Sequence, residues 1–346
     1  MPVRAHPLVW LGLSALLLGG CAAPPAPSWE ERALLEGPPG GTDALDCLVA
    51  APGGMYAAGN RGQPDLEPQR ARPFLLVSED GGATWRSLQV GLGEVAVTCL
   101  AVDDARRVLL AGSHEGLYRS VDGGRRWERL VRGLPDRLEV AAVALDPGAP
   151  DVMLAASTGG ALFTSQDRGR SWSEGQGATG LPAALLASAT GRGLLHTDAG
   201  LFASVDQGRS WQRLASHVGL PGRGALSVAP SPAGAAAVAC AVVWEDGEGR
   251  VIRSRDGGAS WSELPGSAGA LDVELDPGAP DTIYLLRSRG EDALLVSRDG
   301  GGSWEPLGGR VNAAGLVVSR DLPRTVVAYH PQSLRLWTLR PADPAR

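Results

Sequence analysis

The sequence has no lysine: its 32 basic residues are all arginines, set against 38 acidic ones for a net charge of −6. That balance argues against nonspecific nucleic-acid binding, which needs a basic footprint. Aromatics make up 5%, with only four tyrosines and three phenylalanines. The four cysteines are not spaced as metal ligands. No HExxH, P-loop or GxSxG motif is present, and no cofactor is implied. The one long apolar run, within residues 8–20, is too short for a membrane span. Glycine (48) and proline (26) are plentiful, as many short strands and turns require. At 44% hydrophobic, 346 residues can bury an ample core.

Six of the ten tryptophans close one repeated pattern, Ser-x-Asp-x-Gly-x-x-Trp. The copies are Ser78, Asp80, Gly82, Trp85; Ser120, Asp122, Gly124, Trp127; and Ser165, Asp167, Gly169, Trp172. They continue with Ser204, Asp206, Gly208, Trp211; Ser254, Asp256, Gly258, Trp261; and Ser297, Asp299, Gly301, Trp304. The serines at 78, 120, 165, 204, 254 and 297 are 39 to 50 residues apart. A period of that size means a solenoid, propeller or array. Each copy sits between a short apolar run and a second strand-like piece, so it reads as strand, tight turn, strand. Asp suits the turn because its carboxylate accepts from backbone N–H groups just ahead. Glycine covers positions of positive φ. Tryptophan fills the wedge between sheets. A catalytic acid is needed once per site, so a carboxylate written six times is architecture.

The pattern resembles the Asp-box (BNR) repeat of the WD40/YVTN/BNR-like superfamily, over nearly the whole mature chain. The second copy departs from it with Arg126 where Ser or Thr is usual. The resemblance implies that each box joins the two outer strands of a propeller blade, away from the ligand face. It extends to sialidase-like propellers and, in length, anchor and repeat, to photosystem II assembly-factor lipoproteins. The sialidase Phe/Tyr-Arg-Ile-Pro motif is absent. Of the four tyrosines, Tyr56 and Tyr329 could reach the ligand face, but neither has a glutamate tied to it in sequence. Xyloglucanase-type hydrolases share the boxes but pair two propellers, whereas this chain carries one.

Each repeat reads as four strands. The first two are apolar on both faces, as in a sheet covered by neighbouring blades. Six boxes give six blades. The remainder, residues 311–340, supplies three strands without a box, and residues 28–35 resemble a strand that follows one. The expectation is an all-β chain forming a single seven-bladed β-propeller of four-stranded antiparallel blades, closed by both chain ends; six blades is the alternative. The segments 145–151 and 275–281, both LDPGAPD, read as turns between first and second strands.

Ahead of the propeller, Arg4 and the apolar run read as a signal peptide over residues 1–20. Leu18-Gly19-Gly20-Cys21 looks like a lipobox, with Cys21 lipidated. Residues 21–28 form a Pro/Ala tether, 29–340 the propeller and 341–346 a tail. Ala22 after the cysteine implies, by resemblance to Gram-negative lipoproteins, an outer-membrane anchor facing periplasm or surface. Cys47, Cys99 and Cys240 read as buried free thiols, with a Cys47–Cys99 bridge as the alternative.

The loops from second to third strand share one face. Candidate binding residues there are Arg70 and Arg72 in the longest loop, His114, His196, Trp244 beside Glu245, Arg287 and His330. The histidines fall on non-adjacent blades, so no metal site is expected. The function expected is a monomeric, non-enzymatic binding or assembly module holding a protein or glycan. The alternative is a sialidase-like glycoside hydrolase, which needs two carboxylates roughly 5–10 Å apart.

Overall fold

The computed structural model describes residues 28–34, 44–61, 72–88, 92, 95–146, 151–188, 192–215, 226–229, 237–288, 293–308, 311–321, 324–332 and 334–340. The segments read as a signal peptide, as a tether up to residue 27 and as a tail, with Cys21 and Arg70, lie outside them, while Ser28, placed with the tether, begins a strand.

Seven four-stranded antiparallel sheets form the molecule. They span residues 44–87, 97–130, 140–174, 182–215, 226–263 and 270–306, and then 315–340 joined by 28–33; these are blades 1 to 7. The first strand of each blade touches the first strands of both neighbours, which closes a ring around an axis. Blade 7 takes its outer strand from the start of the chain. Ser28–Ala33 pairs antiparallel with Arg335–Arg340, with Trp29 opposite Leu339 and Glu31 opposite Trp337. The blades number seven, not six. Closure by both chain ends removes the sheet edges that an open array would expose.

Seven hydrophobic clusters among the described residues fill the seven junctions between blades. Each box tryptophan enters the junction with the preceding blade. Trp211, 4% exposed, packs with Leu154, Ala156 and Leu162 of blade 3. Blade 7 has no box, and there Trp29 takes the corresponding place against blade 6. Its indole N–H donates to the Gly308 carbonyl at 2.8 Å.

The repeated hairpins share one Ser-Asp hydrogen-bond pattern, which the indole joins in five of the six copies; Trp304 donates instead to the Pro265 carbonyl at 2.8 Å. In the third copy the Ser165 hydroxyl donates to Asp167 Oδ1 at 2.8 Å and accepts from the Gly169 amide at 2.8 Å. Asp167 Oδ1 accepts the Ser171 amide at 2.9 Å, and Oδ2 its hydroxyl at 2.6 Å. The Trp172 indole then donates to the Gly169 carbonyl at 3.2 Å. Arg126 costs the second copy only the hydroxyl bond, because its amide still reaches Asp122 at 2.8 Å. Two successive residues take positive φ in every copy. Gln207 stands first in the fourth copy at φ 64°, where a glycine would be unstrained.

One turn is tighter than the sequence suggests; residues 147–150 of the other expected turn, 145–151, lie outside the described residues. The segment 275–281 is mostly strand, with Pro277 and Gly278 alone between Ala270–Asp276 and Ala279–Arg287. The Asp276 carboxylate accepts the Gly278 and Ala279 amides at 2.7 and 3.2 Å, which makes so short a turn possible. Cys47, Cys99 and Cys240 are free thiols, so the alternative of a Cys47–Cys99 bridge does not hold.

Candidate functional site

Antiparallel order puts the second-to-third turns at one end of the ring and the Ser-Asp hairpins at the other. At the hairpin end, polar contacts tie blade 7 to blades 1, 2 and 6. Arg320 of blade 7 pairs with Asp104 of blade 2 at 2.7 Å. Asp321 of blade 7 accepts the Gly53 amide of blade 1 at 2.6 Å. Arg324 pairs with Asp276 of blade 6 at 2.9 Å.

Inner strands of two blades carry buried acidic residues, Asp46 in blade 1 and Asp272 with Glu274 in blade 6. Most inner strands carry a β-bulge close to their start, and in blade 1 the extra residue is Asp46, between Leu45 opposite Gly59 and Cys47 opposite Ala58. A bulge re-aims the side chain it inserts. Asp46 accepts from Asn60 Nδ2 at 3.0 Å. Loss of hydration pushes its carboxyl up to about 6, against the lowering pull of Asn60 and of nearby His114.

In blade 6, Asp272 and Glu274, two residues apart, share one side of the inner strand. Asp272 Oδ2 accepts the Leu316 amide of blade 7 at 2.7 Å, and Oδ1 accepts the Val273 amide. Glu274 Oε2 accepts the Ser227 hydroxyl of blade 5 at 2.8 Å. Desolvation raises both carboxyls above their ordinary range, and the charge of Asp272 raises Glu274 further. Tyr329 lies against Gly315, where a Cβ would meet its ring. Burial first, then the charge of Asp272, raises its phenol. Tyr329 therefore does have acidic neighbours, supplied by blade 6. Tyr56 lies elsewhere: it sits near the start of its strand, toward the hairpin end, among Arg106, Glu79 and Arg86.

The residues expected on the loop face are spread around it. His114 is exposed in the turn of blade 2. Trp244 and Glu245 end the second strand of blade 5, opposite Gly249 and Glu248. Trp244 is half-buried against its cluster, and its indole nitrogen is turned inward without a partner. Glu245 is exposed. Arg287 and His330 end the second strands of blades 6 and 7, half-buried, each with one ring or guanidinium nitrogen unpartnered. Arg72 pairs with Arg61 at the loop end of blade 1.

His196 is placed differently from its expected loop position. The strand Arg192–Thr197 runs through it, and it is 0% exposed. Its cross-strand partner Leu201 packs with Ala241 and Val243 of blade 5. Desolvation alone lowers its imidazole to about 4, and neither ring nitrogen has a partner. No group of metal-ligating side chains occurs among the described residues. The roles of these acids were not legible in sequence, because a bulge places Asp46 and the partners of Asp272 and Glu274 come from other blades. The one available signal was acids, Asp46, Asp272, Glu274 and Asp276, on otherwise apolar inner strands.

No protein-family model matches the sequence, and no curated protein matches it. Solved structures share the fold. YCF48 bound to a D1 peptide matches with TM-score 0.64 at 16% identity, over 94% of this chain and 99% of that one. YCF48 from Cyanidioschyzon merolae matches with TM-score 0.59 at 16% identity, over 90% and 98%. The GH74 xyloglucanase from Xanthomonas campestris gives 0.60 at 20% identity, over 90% of this chain and 53% of that one. An ancestral GH74 enzyme gives 0.62 at 17%, over 85% and 44%. The chain spans about half the length of these GH74 enzymes. At such identities the likeness defines a class, the seven-bladed β-propeller, and nothing narrower.

Proposed function

We propose that the chain is an Asp-box propeller, lipid-anchored through Cys21 in a bacterial envelope, that holds a protein partner on its loop face and catalyses no reaction. One observation carries this reading: the carboxyls of Asp272 and Glu274 are tied into the joints between blades while the loop face presents the exposed side chains of His114 and Glu245. Asp272 holds a blade 7 amide and Glu274 a blade 5 hydroxyl. Around them stand Glu245, His114, Arg287 and His330, with the ring of Trp244 as an aromatic anchor of the kind interfaces favour. The whole-chain match to a propeller bound to a peptide supports a protein partner.

A second reading is a glycoside hydrolase, favoured by one feature: a carboxyl kept protonated near neutrality is what a general acid needs, and Glu274 is raised. One experiment separates the two. The propeller domain is screened against peptide arrays and, in parallel, against xyloglucan fragments and fluorogenic sialosides. Binding reads as peptide capture that Glu245→Arg weakens at least tenfold, about 1.4 kcal/mol, with Tm unchanged; Trp244→Ala weakens it as well but lowers Tm, because the ring also packs in its cluster. Turnover of either glycan, abolished by Glu274→Gln, overturns it in favour of hydrolysis.

A further inference from the structure

A cleft of about 660 Å³ opens between blades 1 and 2 on the hairpin edge, away from both the loop face and the axis. Its floor is apolar: Tyr56, Val77 and Leu88 are 3%, 2% and 4% exposed. Its walls carry four arginines, Arg86, Arg106, Arg107 and Arg125, against two acids, Glu79 and Asp122.

Those acids are already engaged. Glu79 pairs with Arg106 at 2.9 Å and with Arg86 at 3.5 Å. Asp122 accepts the amides of Arg125 and Arg126 at 3.1 and 2.8 Å. The side chains of Arg107 and Arg125 have no ion-pair partner among the described residues. Other arginines of the hairpin edge do have one: Arg168 pairs with Asp151, Arg255 with Asp281 and Arg298 with Glu305. In a chain of net charge −6, this is a local excess of positive charge.

The floor adds a second, independent feature. Tyr56 is 3% exposed and lines the cleft, and no hydrogen bond from its hydroxyl occurs among the described residues. It feels the charges of Arg106, Glu79 and Arg86, so it lies at the guanidinium end of the cleft. A phenol that lines a cleft and has no partner in the protein is free to donate to an anion bound there.

We propose that this cleft binds a small organic anion, a carboxylate or phosphate on an apolar or aromatic body. The anion is held by Arg107, Arg125 and the Tyr56 hydroxyl, and its body lies over Val77 and Leu88. Guanidinium groups match carboxylate and phosphate oxygens in geometry as well as charge. The site goes beyond the loop-face reading and is independent of it.

The test is calorimetric titration of the propeller domain with phenyl phosphate and benzoate. Sedimentation with phosphatidylglycerol vesicles distinguishes a free anion from a lipid headgroup. The expected result is saturable binding that weakens with salt. It falls at least about tenfold in Arg107→Gln/Arg125→Gln and in Tyr56→Phe. Arg298→Gln, at the hairpin edge of blade 6, and Glu245→Arg, on the loop face, leave it unchanged. The two arginines are exposed, so a circular-dichroism melt matching the parent's rules out misfolding as the cause. No binding of either anion or of vesicles, or binding equal in parent and double variant, overturns the proposal. Loss of peptide capture in Glu245→Arg with anion binding intact bears on the loop face alone.

Discussion

Each hairpin aspartate acts as a hub for a turn. In Asp167 the Ser171 hydroxyl, then the Ser171 amide and the Ser165 hydroxyl, hold the carboxyl down at about 2. Asp167→Ala is expected to lower stability by about 1–3 kcal/mol through lost turn hydrogen bonds, leaving loop-face binding by the folded fraction intact. Denaturant melts of mutant and parent measure the first, and peptide titration the second. Because the folded value lies below the ordinary value of about 4, the stabilisation is present above that pH. It is lost as pH falls through about 2. The gap between mutant and parent therefore narrows from pH 4 downward, and a gap constant with pH would contradict the assignment.

At the level of elements, the strand Ser28–Ala33 is the latch of the ring. It covers the edge of Arg335–Arg340 along six paired residues, and Trp29 enters the junction between blades 6 and 7. Without it, blade 7 is three strands with an open edge, which is a template for pairing with other chains. Deletion through residue 34 is expected to lower Tm and to produce concentration-dependent aggregation in light scattering. Replacing Trp29 by Ala is expected to lower Tm with little aggregation, because the backbone pairing remains. A deletion that melts with the parent and stays monomeric would show that the ring closes without the latch.

For the whole molecule, two buried features set opposite limits of pH. His196 has a folded value of about 4, below the ordinary value of about 6.5. The unfolded chain therefore binds more protons, and stability falls as pH drops from 6.5 toward 4. Asp272 and Glu274 are raised in the fold. There the native state binds more protons, so their contribution is full below about pH 4 and is lost as pH rises through their raised values. Tm is expected to peak at mildly acid pH. His196→Leu should flatten the acid side, and Asp272→Asn/Glu274→Gln the alkaline side, since both amides can keep the inter-blade bonds. Thermal melts from pH 4.5 to 8.5 read both; a parent curve with no alkaline decline would remove the carboxyl pair from the account.

The blade count was legible because each repeat writes its own turn. Ser, Asp, Gly and Trp act within eight residues, and the unpaired strands at the two ends of the chain supply a seventh sheet by arithmetic. The surroundings of single side chains were not legible in this way. His196 looks like a loop residue until its strand proves two residues longer. Asp46 meets Asn60 because a bulge re-aims it, and Tyr56 shares a cleft with Arg107 and Arg125 only across a junction. Sequence alone determined the repeating hairpins, and through them the ring, because those interactions are local. The tertiary structure alone decided which charges meet, because neighbours across a blade junction are distant in the chain and one bulge changes which face a side chain takes.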